Sequence, residues 1–413
     1  MAQLNITLNQ EEMLQFLAND RDGAFAKLLQ DSLNCIMKAE STAQLGAEPY
    51  ERTEERKGSR NGFRDRPLTT RIGTITLSVP KHRDGEAFHT LVFDNYGRSE
   101  AALIVTMAEM VVNGVSTRKV SQVMETLCGK SYSKSTVSTA CKDLDEKVRE
   151  FRERPLSGEF PFLTVDATYF KVRENGRIIS KAFMIAYAVN SEGHREILGF
   201  NIYANESKET WNDFLKGLRT RGLHGVKMIT SDAHEGIKDA ISKQFPEAAW
   251  QRCQFHFSRN IIGKAPKKYQ AGLSSELTEM FNCKTIKEAR KRKDAIINDY
   301  KDVAEEAVNC LDEGFESSMS VMVLPHFLRK YFRTSNHIER LNKELKRRSK
   351  VIGIFPNEAS LLRLMGSVLI ERNEEILYYK CIFTGKTYQE LLATEVPAKL
   401  IQIAVEQKNL LAA

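Results

Sequence analysis

The chain has 413 residues, with 61 Lys and Arg against 54 Asp and Glu for a formal charge of +7, and 42% of it is hydrophobic. That is enough apolar material for two or three packed domains and unlike the composition of a disordered tail. No run approaches ~18 apolar residues, the start lacks a basic-then-apolar pattern, and seven scattered cysteines form no CxxC pair; these features argue against a membrane span, secretion and a disulfide scaffold, and predict a cytoplasmic protein with reduced thiols.

Residues 1 to about 48 carry helical periodicity, with Met13, Phe16 and Leu17 on one face and Leu28, Leu29, Leu33 and Ile36 on another, as in a small helical module. From Glu51 to Arg66 the chain is charged, Gly-containing and poor in apolar residues. It reads as a flexible basic connector in which Arg60 and Arg64 follow a phosphate backbone, completing a first region, 1–65. Basic residues concentrate between Arg52 and Arg83 and again between Arg329 and Lys350, which suits a polyanionic partner; ordinary exposed faces are the alternative.

In a second region, 66–155, Ile75, Leu77 and Val79 alternate with Thr74, Thr76 and Ser78, the pattern of a half-buried strand ending at Pro80. Helices are predicted at Glu100–Val112 and Thr117–Leu127, and a third is capped by Ser133. In that third helix Val137, Ala140, Cys141, Leu144 and Val148 face inward. Lys134, Ser135, Ser138 and Lys142 face outward, small or basic enough to enter a DNA groove as part of a helix-turn-helix; plain helical packing would give the same pattern.

From Phe160 the texture changes to strands. The predicted order over 156–257 is three strands, helix, strand, helix, strand, and two of the strands end in acids: Phe162–Val165 in Asp166, and Val226–Ser231 in Asp232. An ionised carboxylate at the edge of a core needs compensation, and each Asp alone could cap a turn or pair with an Arg. Were the first and fourth strands neighbours, the two acids would repel each other unless a divalent cation lay between them. A helical stretch, 258–325, then interrupts the strand domain, with a capping box at Thr285 and Glu288. The domain resumes over 326–375, where Ile338, Leu341 and Leu345 form the buried stripe of a helix with Glu339 on its border. That acid could complete a metal site or pair with Lys343 at i+4. Lys343, Lys346, Arg347 and Arg348 of the same helix are expected to contact phosphates. A helical tail, 376–413, closes the chain.

Five separated motifs then occur in order: Thr164-Val165-Asp166-Ala167-Thr168-Tyr169, Glu206-Ser207 with Trp211, Ser231-Asp232-Ala233-His234-Glu235-Gly236, Trp250-Gln251-Arg252-Cys253-Gln254-Phe255-His256, and Asn336-His337-Ile338-Glu339-Arg340-Leu341-Asn342. Together they resemble the bacterial insertion-sequence transposases of the Mutator-like superfamily. The resemblance implies an α/β fold: a ribonuclease-H-like catalytic domain with an all-helical insertion, preceded by mainly helical DNA-binding domains. It implies an Asp-Asp-Glu (DDE) triad of Asp166, Asp232 and Glu339, with Glu339 standing 107 positions after Asp232 (339 minus 232). Cys253, His256, Asn336 and Arg340 would support that site. Cys253 and His256 alone are too few ligands for a closed zinc centre, so a structural or positioning role is expected of them.

The resemblance further implies two Mg2+ ions, with Mn2+ as a possible substitute, holding double-stranded DNA at terminal inverted repeats and target. A homodimer on DNA and a nucleoid-associated bacterial protein are expected with it. Gly385-Lys386-Thr387 echoes a P-loop ending, but Lys380 stands where glycine is required, so no nucleotide cofactor is expected. Two other readings remain: a related nuclease that cuts without joining, and a non-catalytic DNA-binding regulator.

Overall fold

The computed structural model describes residues 21–49, 51, 56–70, 73–83, 87–90, 101–128 and 133–412. The expected helical face at Met13, Phe16 and Leu17 lies outside them, as do Glu100 and Gly129. The chain divides into two units, Met1–Asp143 and Leu144–Ala413.

In the first unit, helix α1 (Arg21–Leu45) covers an antiparallel hairpin of β1 (Ser59–Thr70) and β2 (Gly73–Arg83). The stretch expected to be a flexible connector is thus a strand from Ser59 onward. Its own residues explain this poorly; its partner explains it well. Ile75, Leu77 and Val79 of β2 pack with Met37 of α1, and a strand so anchored hydrogen-bonds its neighbour whatever that neighbour's side chains are. Next, α2 (Ala101–Val112), α3 (Thr117–Cys128) and α4 (Lys134–Ala140) enclose Met107, Val120, Met124 and Val137. Ser133 caps α4 by accepting from the Thr136 N–H, as its sequence position predicts. The expected third helix does not run on to Val148, however: it stops at Ala140, and α5 (Asp143–Glu153) starts anew. The Ser- and Thr-rich α4 is a weak helix former. Its Val137 also serves the first unit's core, whereas Val148 packs against Gly366 in the second.

The second unit is built on a five-stranded mixed sheet. Strands β3 (Phe162–Glu174), β4 (Arg177–Val189) and β5 (Arg195–Tyr203) are antiparallel, and β6 (Met228–Ser231) and β7 (Ala249–Arg252) run parallel to β3, in the order β5-β4-β3-β6-β7. The β3–β4 turn is Asn175-Gly176, both at positive φ, the two-residue geometry that suits the twist of a hairpin. Helices α6 (Lys208–Thr220) and α7 (Glu235–Gln244) cover one face, where Leu163, Val165 and Ile229 meet Trp211, Leu215 and Ile237. The strands on this sheet therefore read as apolar runs rather than as alternation.

After β7 come four helices, α8 (Gln254–Lys264), α9 (Lys267–Phe281), α10 (Ile286–Tyr300) and α11 (Glu305–Ser318). They bury their own core of Phe257, Leu273, Leu277, Ile296, Leu311 and Phe315, and the Thr285–Glu288 capping box forms as expected. A 3-10 turn, Ser320–Val323, and α12 (His326–Phe332) then return the chain to the other sheet face, where Leu328 and Phe332 meet Phe162 and Met228. Helices α13 (Asn336–Ser349), α14 (Glu358–Leu377), α15 (Gly385–Leu392) and α16 (Val396–Ala412) complete the unit. At the free edge of β7 the Gln407 side chain accepts from Trp250 N and donates to Trp250 O, both at 2.8 Å. Its amide thereby pairs as another strand would. No described helix is long and apolar enough to cross a membrane.

Candidate active site

Pairing of β3 with β6 runs from Phe162↔Met228 to Thr164↔Thr230 and then stops. β6 ends at Ser231, so Asp232 is the first residue beyond it, while β3 continues with β4 to Glu174. Asp166 is therefore a mid-strand residue rather than a strand end, because the long hairpin with β4 keeps β3 extended. Both acids lie at the carboxyl edge of the parallel strands, the usual place for a site in such sheets. Burial raises the Asp166 pKa to about 7, the charges of Asp232 and Glu206 add to the rise, and the Ala167 N–H and His256 oppose it.

Glu339 reaches this edge because the turn before α13 is pinned. Thr230 Oγ1 donates to Phe332 O at 2.8 Å, and Gln254 N donates to Arg333 O at 3.0 Å. Ser335 donates from its N–H and its hydroxyl to Cys253 Sγ, at 3.3 and 3.2 Å, and the hydroxyl is also 3.4 Å from Glu339 Oε1. The imidazole of His256 stands between two of the acids, Nδ1 3.6 Å from Asp232 Oδ2 and Nε2 3.2 Å from Glu339 Oε1. Asn342, one turn beyond Glu339, donates from Nδ2 to Asp166 Oδ2 at 2.7 Å. Residues far apart in sequence thus come together, and Glu339 faces His256 instead of Lys343.

Asp166, Asp232 and Glu339 approach this spot from β3, the end of β6 and α13, and carboxylate oxygens are the donors that a hard divalent cation prefers. Two local features fit such a group: Asn342 Oδ1 is buried with no hydrogen-bond partner, and His256 Nε2 touches Glu339 without hydrogen-bond alignment. Among the described residues, the His, Cys and acidic side chains that bring three ligand atoms within 4.8 Å of one another are Cys253, His256 and Glu339, a softer set than magnesium favours. Burial raises the Cys253 pKa, and its sulfur accepts from Ser335 at the turn before α13.

The remaining candidates divide. Asn336, Arg340 and Lys343 are exposed on α13. Burial lowers the pKa of neighbouring His337 to about 4, with the charges of Arg195 and Arg340 acting in the same direction. Arg347 is exposed and paired with Glu344, while Lys346 donates to Tyr169 O and lies 4.6 Å over the Phe170 ring. Arg348, expected at phosphates, is only 3% exposed and pairs with Glu344 at 2.7 Å and Glu371 at 3.2 Å. At the helical period it falls on the Leu341–Leu345 side, which turns it inward. In the first unit Arg60 is likewise occupied, donating to Thr42 Oγ1 and Ala47 O, whereas Arg64, Ser135, Ser138 and Lys142 are exposed. The side chain of Lys134 lies outside the described ones.

Two further residues stand near Asp166 although the motifs that contain them name no role for them: Asn342 by its hydrogen bond and Glu206 by its charge. Asn342 was signalled by its i+3 spacing from Glu339 on the same helix edge. Glu206 was signalled by its motif with Ser207, the residue that caps α6, and Trp211.

Comparison with known proteins agrees with the motifs. The family described as "Transposase, Mutator family" matches residues 1–378. The chain belongs to the Mutator family of transposases. The transposase for insertion sequence element IS256 in transposon Tn4001 of Staphylococcus aureus is 42% identical over 382 residues, 92% of this chain and 97% of that protein. The transposase for ISRM5 of Rhizobium meliloti is 39% identical over 358 residues, covering 87% and 89%. That for IS1081 of Mycobacterium tuberculosis is 37% identical over 377 residues, covering 90% and 91%. These alignments take in nearly the whole transposase, both units included.

Proposed function

We propose that this transposase is of the DDE type: Asp166, Asp232 and Glu339 hold two Mg2+ ions, with Mn2+ able to substitute, and cut and join DNA at the ends of an insertion sequence. The gathering of the three acids about His256 and Asn342 carries the reading. The sheet order, with an antiparallel second strand and a helical block between Asp232 and Glu339, supports a ribonuclease-H-like catalytic domain. The names of its relatives support insertion-sequence ends as substrate.

A divalent pair supplies charge stabilisation at the attacking and leaving oxygens of a phosphodiester and helps deprotonate the incoming hydroxyl. The protein's share is to orient and to exclude. Asn342 fixes one oxygen of Asp166, Ser335 and Cys253 fix the start of the Glu339 helix, and His256 keeps Asp232 and Glu339 apart yet near. In the first step water attacks the phosphorus at the element boundary and the bond from that phosphorus to the element's terminal O3′ breaks, leaving the phosphate on the 5′ end of the flank and a free 3′ hydroxyl on the element. In the second, that hydroxyl attacks a target phosphodiester, so one ester replaces another and no nucleotide is consumed. Acting on two ends favours a homodimer on DNA, and a DNA substrate favours residence at the bacterial nucleoid.

Incubation with Mg2+ and duplexes carrying the chain's own element ends tests the proposal. Nicks leaving 3′ hydroxyls, and joining of a pre-cut end to target, are expected. Cutting without joining would make it a nuclease, and binding without cutting a regulator.

A further inference from the structure

Arg252 is the last residue of β7, paired in register with Ser231, the residue before Asp232. It therefore stands at the same carboxyl edge as the candidate acids; burial lowers its pKa, and Cys310, Asp232 and Glu313 act in the opposite direction. Its guanidinium lies 4.2 Å over the Phe257 ring, yet among the described residues it makes no hydrogen bond or ion pair, and its Nε is buried without a partner. This is unlike the neighbouring site cations. Lys346 is held by a backbone carbonyl, and Arg348 by two carboxylates. A half-buried guanidinium with unmet donors is costly to keep.

The chain also makes room for it. Gly314 sits within α11, and a Cβ there would come 2.3 Å from Arg252 Nη1 and 2.4 Å from the Phe257 ring. Glycine inside a helix costs about 1 kcal/mol relative to alanine. Here it admits the Arg252–Phe257 stack, which a side chain at 314 would displace. The contact with Phe257 holds one side of the guanidinium, and its N–H groups suit the two non-bridging oxygens of a phosphate, which can accept from them side by side.

We propose that Arg252 clamps one backbone phosphate of the bound DNA strand beside the Asp232 end of the site. This rests on the transposase reading above. The DNA supplies the acceptor that the protein does not, and Arg252 positions the strand without entering the chemistry.

The test is a methylphosphonate scan, in which each phosphate near the cut on a duplex carrying the chain's own element end is neutralised singly. Wild-type affinity is expected to fall by about 10-fold or more at one position, the scale of a charge-assisted hydrogen bond. For Arg252→Gln the same substitution should cost nothing further, with losses elsewhere unchanged. Gly314→Ala, which displaces the guanidinium without removing charge, should show the same position-specific silence, and Arg252→Lys should restore part of the coupling. A merely structural Arg252 would lower affinity evenly, and additive losses at every position in melting-competent variants would overturn the clamp. A wild type that binds no element-end duplex would instead sink the transposase reading itself.

Discussion

Asn342 and Asp166, 176 positions apart in sequence, meet through a 2.7 Å hydrogen bond from the amide Nδ2 to the carboxylate Oδ2. The bond ties the helix that carries Glu339 to the strand that carries Asp166, so one side chain sets the spacing of two candidate ligands. Asn342→Ala should lower single-turnover strand cleavage about 10- to 100-fold, the usual effect of losing a group that orients a metal ligand. Affinity for element-end DNA should be unchanged, and a cleavage rate equal to wild type would remove Asn342 from the site.

Asp166→Asn, Asp232→Asn and Glu339→Gln each delete one negative charge with little change of shape. Each should abolish nicking in Mg2+ and in Mn2+ while sparing DNA binding in a gel-shift assay. Nicking at the wild-type rate by any one of them would exclude that residue.

The raised Asp166 pKa makes a separate prediction about stability. A carboxyl whose pKa is about 7 in the folded protein and 3.8 unfolded binds its proton more tightly when folded. Its share of folding stability is therefore full below the unfolded value and lost as pH rises toward the folded one. Metal-free protein should accordingly melt at lower temperature at pH 8 than at pH 5 on this group's account, and Asp166→Asn should remove that part of the slope. At pH 8 the variant should melt a few degrees higher than wild type, each ~1 kcal/mol being worth roughly 2–4 °C in a unit this size. Equal pH slopes in scanning calorimetry would count against it.

The same shift links metal to protons. At pH 6.5 a good fraction of Asp166 carries a proton in the metal-free protein, and a divalent ion must displace it. Titration with Mn2+ in buffers of different ionisation enthalpy should show proton release at pH 6.5 that fades by pH 8.5. Calorimetric heats independent of buffer at pH 6.5 would contradict it.

The basic helix α13 should split by direction. Arg348→Met takes one partner from Glu371, which is partly exposed, while Glu344 keeps Arg347 and Arg372, and should destabilise by about 1–2 kcal/mol. Neutralising exposed Lys343 and Arg347 should instead leave melting almost unchanged and make DNA affinity less dependent on salt. A salt slope unaltered in the double variant would exclude both as phosphate contacts.

What the sequence disclosed, and what it hid, follows from where information about contacts resides. The strand order of the second unit was readable because buried strands there are apolar runs bounded by turns such as Asn175-Gly176. The capping box at Thr285 likewise announces its helix locally. Strand β1 was hidden, since a polar strand is specified by its partner rather than by itself. The break at Cys141 was hidden because two halves of one apolar stripe serve different cores. Arg348 and Arg60 were misjudged for a related reason: composition marks a residue as basic but not which way it faces, and only the partner carboxylates and carbonyls settle that.

The Gln407 amide has a consequence for the protein's life before it is complete. By pairing with Trp250 it closes the middle of the free edge of β7, where the Ser320 hydroxyl also donates to Trp250 O at 2.8 Å and the Trp250 N–H has its acceptor in Gln407. A nascent or prematurely terminated polypeptide that has not yet reached α16 lacks the acceptor for the Trp250 N–H and leaves this edge open to strands of other chains. Truncated products of the gene should then clump before they could ever act on a chromosome, so that mobility of the element depends on full-length translation.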